Sequence, residues 1–140
     1  MANLLCAQGK HGEAEPLYRE ALAGKRRTLG EEHPSTLTSI NNLAILLKNQ
    51  GKLGDAEPLY REALAGRRRT LGDEHPDTLM SINNLANLLS DQGKLGDAEP
   101  LYREALAGCR RTLGDEHPST LTSMRNLASC LRREAVRTIF

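Results

Sequence analysis

Three histidines recur in the sequence, and each directly follows a pair of acidic residues. The strings are Glu31-Glu32-His33, Asp73-Glu74-His75 and Asp115-Glu116-His117. Imidazole and carboxylate groups bind metal ions or transfer protons, so metal binding or acid–base catalysis is the chemistry these residue types would support. The strings recur at one constant interval, however, and each stands in a different predicted loop. We therefore expect no shared metal ion, and we predict that each histidine caps or packs the helix that follows.

The other reactive residues form no catalytic set. Cys6, Cys109 and Cys130 have neither metal-ligand nor disulfide spacing, and the sequence contains no phosphate-binding loop and no Ser-His-Asp arrangement. Basic runs stand near the end of each second helix: residues 25–27, 67–69 and 110–111. Cations there complement the helix dipole and pair with loop acids, and the alternative is a basic row that attracts an acidic peptide. The sequence predicts no enzyme, no metal and no cofactor.

Composition excludes two classes of partner. The chain has 140 residues with 19 basic and 18 acidic side chains, a net charge of +1, and 3% aromatic residues. The chain has neither an excess of positive charge nor interleaved aromatic residues, so binding of nucleic acid is not expected. No apolar stretch has the length of a membrane span. The apolar N-terminal stretch is too short for a signal peptide. Unpaired cysteines fit a reducing compartment, so we expect a cytoplasmic protein.

An internal repeat dominates the sequence. The string GDAEPLYREALAG stands at 54–66 and again at 96–108, and a close variant stands at 12–24, so the period is 42 (96 − 54). The segments 43–84 and 85–126 differ at eight positions, so 34 of 42 are identical. Identity this high indicates recent tandem duplication or consensus design, and irregular changes such as Arg67 against Cys109 favour duplication.

Each repeat predicts two helices. Pro76 suits a first helical turn, apolar residues then recur at three- and four-residue steps, and Gly93 marks the end. The second helix is predicted to begin near Asp97 as N-cap and to stop at Gly114. Neither helix can bury its apolar stripe alone, and stacking neighbouring pairs into an α-solenoid solves that problem. Counting a truncated first helix, we predict seven.

The spacing of Leu85-Ala86, Gly93, Ala98, Tyr102 and Ala105 resembles the tetratricopeptide repeat signature. The usual unit of that family has about 34 residues. The longer unit here, with NNLA, QGK and AEPLYREAL, resembles the kinesin light chain type. The resemblance implies an all-α, right-handed superhelix whose concave face, lined by the first helix of each pair, holds a partner peptide. Kinesin light chains also suggest use as a cargo adaptor, but their coiled-coil segment for motor binding is absent from this sequence, so motor association is not expected.

The whole chain, 1–140, is predicted to be one repeat domain. The units span roughly 1–32, 33–74 and 75–116, and a terminal helix spans 117–140. Leu127, Leu131, Ala135 and Ile139 continue one apolar stripe, which indicates a longer helix that caps the stack. The alternative is that the chain is a fragment of a longer array.

Differences between the repeats concentrate on one helical face. Five of the eight mismatches lie on the first helix of a pair, at Met80, Asn83, Asn87, Ser90 and Asp91, in steps of three, four, three and one. By the resemblance this face lines the groove. Contact with different parts of a partner would explain why the sequence of this face differs between repeats. Neutral drift at exposed positions is the alternative.

Asparagine recurs beside this face at Asn42, Asn84 and Asn126. A carboxamide pairs with both the C=O and the N–H of a peptide backbone, so these residues are predicted to contact a bound chain, or else to bond a neighbouring helix. We assign specificity to eleven residues: Asn41, Ile45, Lys48, Asn49, Met80, Asn83, Asn87, Ser90, Asp91, Arg125 and Ser129.

The predicted function is a protein-interaction scaffold that binds a peptide or extended protein segment in this groove. The alternative is a structural fragment without a dedicated ligand, which self-associates through exposed array ends.

Overall fold

The computed structural model describes residues 11–139, and every regular element in that range is an α-helix. The helices are α1 His11–Leu29, α2 Pro34–Asn49, α3 Leu53–Leu71, α4 Pro76–Asp91, α5 Leu95–Leu113 and α6 Pro118–Ile139. The predicted all-α repeat fold is confirmed. The truncated first helix of the prediction falls before residue 11 and so lies outside the described residues.

Two compact units divide the chain after Thr70. The first unit, residues 1–70, contains α1, α2 and nearly all of α3, and α1 packs against α2. The second unit, residues 71–140, contains α4, α5 and α6, and α5 packs against both of its neighbours. The assignment of the whole chain to one domain stays a prediction.

Start and stop signals of α2 and α4 lie where the sequence predicts them. The N-cap residues are His33 and His75, and each Nδ1 accepts a hydrogen bond from the backbone N–H two residues later, at 3.1 and 3.0 Å. At the other end of α4, Gly93 has a φ of 80°, and the Lys94 N–H donates to the Leu89 carbonyl at 2.8 Å. This left-handed turn suits glycine and closes the last helical turn.

The long helix α6 has no such stop. Ala135 occupies the position that corresponds to Gly93, and α6 continues through it for a total of 22 residues, whereas α4 has 16. The prediction of a long terminal helix is therefore confirmed.

The second helix of a repeat starts earlier than predicted. Helix α5 begins at Leu95 and not near Asp97, and the side chain of Lys94 in the cap position makes no capping hydrogen bond. Leu95 is buried, so packing of its side chain holds the first turn in place of an Asp cap. Pro100 lies within this helix, and the chain stays helical through it.

Leu and Ala form most of each core, and helices approach closely at two glycines. Gly66 of α3 lies against Leu37 of α2, and Gly108 of α5 lies against Leu79 of α4. Tyr60 and Tyr102 are buried in these cores.

Part of the apolar surface of α6 stays uncovered. Leu121 is 46% exposed, whereas the corresponding Leu79 is 4% exposed. Leu131 is likewise 36% exposed, while its counterpart Leu89 is buried. Leu127 is buried and Ala135 is exposed, and the side chain of Ile139 lies outside the described residues. The predicted stripe is thus only partly packed.

Candidate functional site

The predicted site residues of the second unit lie along one face of α4 and the matching face of α6. On α4, Met80 and Asp91 are exposed and Asn83, Asn84 and Asn87 are half-buried. On α6, Arg125 is exposed, and Asn126 and Ser129 are half-buried. The structure therefore leaves most of these side chains accessible.

In the first unit, α2 carries the remaining predicted residues. Asn42, Ile45 and Asn49 are exposed, and Lys48 is half-buried. Asn41 is buried, so it does not present its side chain on an open surface.

Asn87 and Ser90 of α4 bond to side chains of α5 and α6. Asn87 Oδ1 accepts a bond from the Tyr102 hydroxyl, and Ser90 Oγ accepts one from Arg133 Nη1. Ser90 is also buried. These two differences between repeats therefore change contacts with α5 and α6, which the sequence comparison attributed to a partner. Burial raises the pKa of Tyr102 to about 12, so its hydroxyl remains a donor to Asn87 at neutral pH.

A cleft of about 450 Å³ opens between the first turns of α4 and α6 and the last turns of α5. We call it the N-terminal cleft. Its lining residues are Pro76, Asp77, Leu79, Met80, Asn83, Cys109, Leu113, Pro118, Ser119 and Thr122.

Most of this lining is variable between repeats. Six of the ten lining residues occupy positions at which the segments 43–84 and 85–126 differ. These ten residues occupy seven repeat positions, because three pairs of them correspond, and four of the seven positions differ. Since eight of 42 positions differ in all, seven positions taken at random would include about one (7 × 8/42). Four of the eight differing positions thus line this cleft.

The carboxamide of Asn83, which lines the cleft, has one unpaired polar atom. Its Nδ2 donates to Ser123 Oγ at 3.5 Å, a long bond, while its Oδ1 is buried without a hydrogen-bond partner among the described residues. A buried carbonyl oxygen without a donor costs free energy, and a ligand N–H that reaches it recovers that cost. The rest of the wall is largely apolar, with Leu79, Met80 and Leu113.

Cys109 is a lining residue that the sequence analysis missed. Its Sγ lies 3.7 Å from Ser123 Oγ on α6. At the corresponding place in the first unit, Lys25 Nζ donates to Ser39 Oγ at 2.8 Å. The mismatch of Arg67 and Cys109 was the available signal, but the sequence analysis used it only as an indication of tandem duplication.

A second cleft, of about 590 Å³, lies at the opposite ends of α4 and α6. We call it the C-terminal cleft. Leu95, which is buried, and Val136 contribute its apolar surface, and three arginines border it: Arg132, Arg133 and Arg137. The sequence analysis did not predict this cleft, although the string RREAVR was visible as a departure from the repeat.

The acidic-histidine strings have structural roles, as helix caps and ion-pair partners. His117 Nδ1 accepts from the Ser119 N–H at 3.0 Å, so all three histidines cap helices. Carboxylates of the same loops pair with the basic runs, as in Arg69 with Glu32 and Arg111 with Glu74. No group of three or more potential metal ligands occurs among the described residues.

The tetratricopeptide repeat family model matches residues 1–69, 35–110 and 79–135 and so covers nearly all of the chain. The chain belongs to the tetratricopeptide repeat family. Comparison with curated proteins gave no match.

Solved structures with the same fold are of the kinesin light chain type. Two crystal structures of nearly identical TPR-like repeats from a Podosopora anserina kinesin light chain-type protein, one of them a point variant, have TM-scores of 0.84 and 0.86 at 33% identity. Both matches cover 98% of this chain and 65% of the other. BtubC (BKLC) from P. vanneervenii has a TM-score of 0.87 at 26% identity, and the match covers 96% of this chain and 54% of BtubC.

This tetratricopeptide repeat chain thus spans less than two thirds of each neighbour's length. No helix within residues 11–139 is long and apolar enough to cross a membrane.

Proposed function

We propose that the chain is a protein-interaction scaffold that binds a peptide or extended protein segment along the first helices of its repeats. Tetratricopeptide repeats are in general protein–protein interaction modules, which supports the class of function. The observation that carries the proposal is the N-terminal cleft, because its wall combines variable positions with a largely apolar surface. We assign no catalytic step to it.

A bound segment would lie across α4 and α6 with one apolar side chain in the N-terminal cleft. Asn83 Oδ1 would accept a hydrogen bond from its backbone, and Asn84 and Asn126 would contact the backbone further along. Asn42, on α2 of the first unit, completes the predicted asparagine series. Loss of the hydrogen bonds from Asn84 and Asn126, worth about 1 kcal/mol each, would weaken peptide binding at least tenfold.

A peptide-display screen with the purified chain, followed by fluorescence anisotropy on the selected peptides, tests the proposal. Changing Asn84→Ala and Asn126→Ala together should weaken binding about tenfold. Met80→Glu should abolish it, because a carboxylate would stand at the mouth of an apolar cleft. The matched control is Leu17→Glu on α1, since Leu17 is 41% exposed and Met80 is 46% exposed. Failure to select any peptide, or equal losses in the Met80 and Leu17 variants, would contradict the proposal.

Self-association is a second candidate, favoured by the uncovered leucines of α6. In α4 the corresponding Leu79 and Leu89 are buried, whereas Leu121 and Leu131 are exposed and available to another helix. Light scattering after size exclusion, at rising protein concentration, should then show dimers that Leu121→Glu with Leu131→Glu eliminates. A monomer at every concentration would refute this candidate.

A further inference from the structure

A leucine-to-glycine contact between helices occurs once in each unit. Leu37 of α2 lies against Gly66 of α3, and Leu79 of α4 lies against Gly108 of α5, the glycine following 29 positions later in both (66 − 37 and 108 − 79). The corresponding leucine of α6, Leu121, is instead 46% exposed. Helix α6 therefore presents to solvent the face that α4 packs against α5.

The matching glycine surface is open on α1. Gly24 corresponds to Gly108, and among the residues that the structure describes a Cβ at Gly24 would meet only Arg27 Nη2. One turn earlier, Ala21 is exposed, whereas its counterpart Ala105 is completely buried. The face of α1 that corresponds to the α4-binding face of α5 is thus accessible.

The contact between α4 and α5 shows how these two open faces would fit together. Helices α1 and α5 are identical at 16 of their 19 positions. We infer that α6 of one copy of the chain docks on α1 of a second copy, with Leu121 against Gly24 as Leu79 lies against Gly108. This inference rests on the self-association proposed above and names the surface that α6 meets; it does not depend on the peptide site.

Charged residues beside the two faces also lack the partners that their counterparts have. Glu74, which precedes α4, pairs with Arg111 of α5. The corresponding residues are Glu116, which precedes α6, and Arg27 of α1. Both are exposed, and neither forms an ion pair within the described part of the chain. Docking of α6 on α1 of another copy would bring these opposite charges together.

A second pair of charges supports the same arrangement. In the first unit, Arg26 Nη1 of α1 donates to Glu62 Oε2 of α3 at 2.8 Å. The corresponding residues at the junction of two copies are Arg110 of α5 and Glu20 of α1. Glu20 is exposed and makes no ion pair with any side chain that the structure describes. Exposed pairs add little affinity, but two of them fix the direction and register of the contact.

A contact between two different faces is heterologous, so each pair of copies retains one free α1 face and one free α6 face. Association can then continue beyond a dimer as the concentration rises. In the repeat register residues 1–8 correspond to 127–134, so the two segments would compete for one face of α1. We therefore expect association only at high protein concentration.

Two variants, each with one blocked face, test the inference by light scattering after size exclusion. Leu121→Glu blocks the α6 face and Ala21→Glu blocks the α1 face, and each alone should stay monomeric. An equal mixture should form a heterodimer, with about twice the monomer mass and nothing larger, because each variant supplies one intact face. Both positions are exposed, so thermal melts should show two folded variants.

Ala23→Glu is the matched control on α1. Ala23 is also exposed but lies about 200° around the helix from Ala21, so this variant should associate like the unmodified chain. Arg27→Glu should weaken association up to about fivefold, and adding Glu116→Arg should restore it.

The outcomes separate this inference from the proposed function. Association of Ala21→Glu alone, or a mixture that stays monomeric while the unmodified chain associates, would overturn docking on α1 but leave self-association through α6. An unmodified chain that is monomeric at every concentration would overturn both. Neither result bears on the peptide-display screen, which tests the groove separately.

Discussion

Replacement of Gly108 by alanine tests the close approach of α5 to α4. A Cβ at Gly108 would lie 2.5 Å from Leu79 Cδ2 and 3.3 Å from Leu79 Cδ1, while comfortable carbon–carbon contacts need about 3.5–4.0 Å. Leu79 is itself buried, so its side chain has little room to turn away. Gly66 and Leu37 repeat this arrangement in the first unit, with the same 2.5 Å approach.

The third glycine of the series provides the control. Within the part of the chain that the structure describes, a Cβ at Gly24 would meet only Arg27 Nη2, at 3.9 Å. Glycine-to-alanine replacement inside a helix stabilises by about 1 kcal/mol through helix propensity alone, and overpacking a core destabilises by about 1–3 kcal/mol. We therefore expect Gly24→Ala to raise the free energy of unfolding by about 1 kcal/mol. At Gly108 the strain of overpacking exceeds the gain in propensity, so Gly108→Ala should lower the free energy of unfolding by about 2 kcal/mol at most.

Urea unfolding followed by circular dichroism measures these differences. Leu79→Ala, which removes the obstructing methyl groups, should cost less in the Gly108→Ala background than alone, because the added methyl partly fills the cavity. Equal effects of Gly24→Ala and Gly108→Ala would refute the reasoning, as would strictly additive effects at Gly108 and Leu79.

Three further predictions concern tyrosine ionisation, capping and ion pairs. Since the folded pKa of Tyr102 is about 12 and the unfolded value about 10, stability should be complete below pH 10 and fall as the pH rises toward 12, and thermal melts of Tyr102→Phe should lack that loss. His75→Ala removes the acceptor for the Asp77 N–H and should lower the unfolding free energy by about 1 kcal/mol, while His75→Asn should restore most of it. Glu74→Gln should change stability by less than about 1 kcal/mol in urea titrations, because the pair with Arg111 is exposed on both sides, and a larger loss would contradict this.

Local signals in the sequence predicted the helices well. Proline after histidine and glycine after the apolar stripe place the ends of α4 correctly, because both act on their own backbone. The early start of α5 was missed because Leu95 is held by burial, a tertiary effect that no neighbouring residue reveals.

The candidate site was only partly predictable, for the same reason. Met80 and Asn83 were found through differences between repeats, and both line the N-terminal cleft. The bonds of Asn87 to Tyr102 and of Ser90 to Arg133 join residues 15 and 43 positions apart, so periodicity on one helix did not reveal them. Assignment of the arginines to the C-terminal cleft likewise needed the fold of α6.

Spacing of the loop ion pairs has a consequence for the evolution of the chain. Glu32 pairs with Arg69 and Glu74 with Arg111, in each case 37 positions later, while the period is 42. Each of these pairs therefore joins one repeat to its successor. If residues 43–84 were excised, Arg111 would move to position 69 and could pair with Glu32. The pair would again consist of one arginine and one glutamate. Unequal crossing-over between such gene segments can thus lengthen or shorten the array while each surviving junction keeps a compatible set of charges.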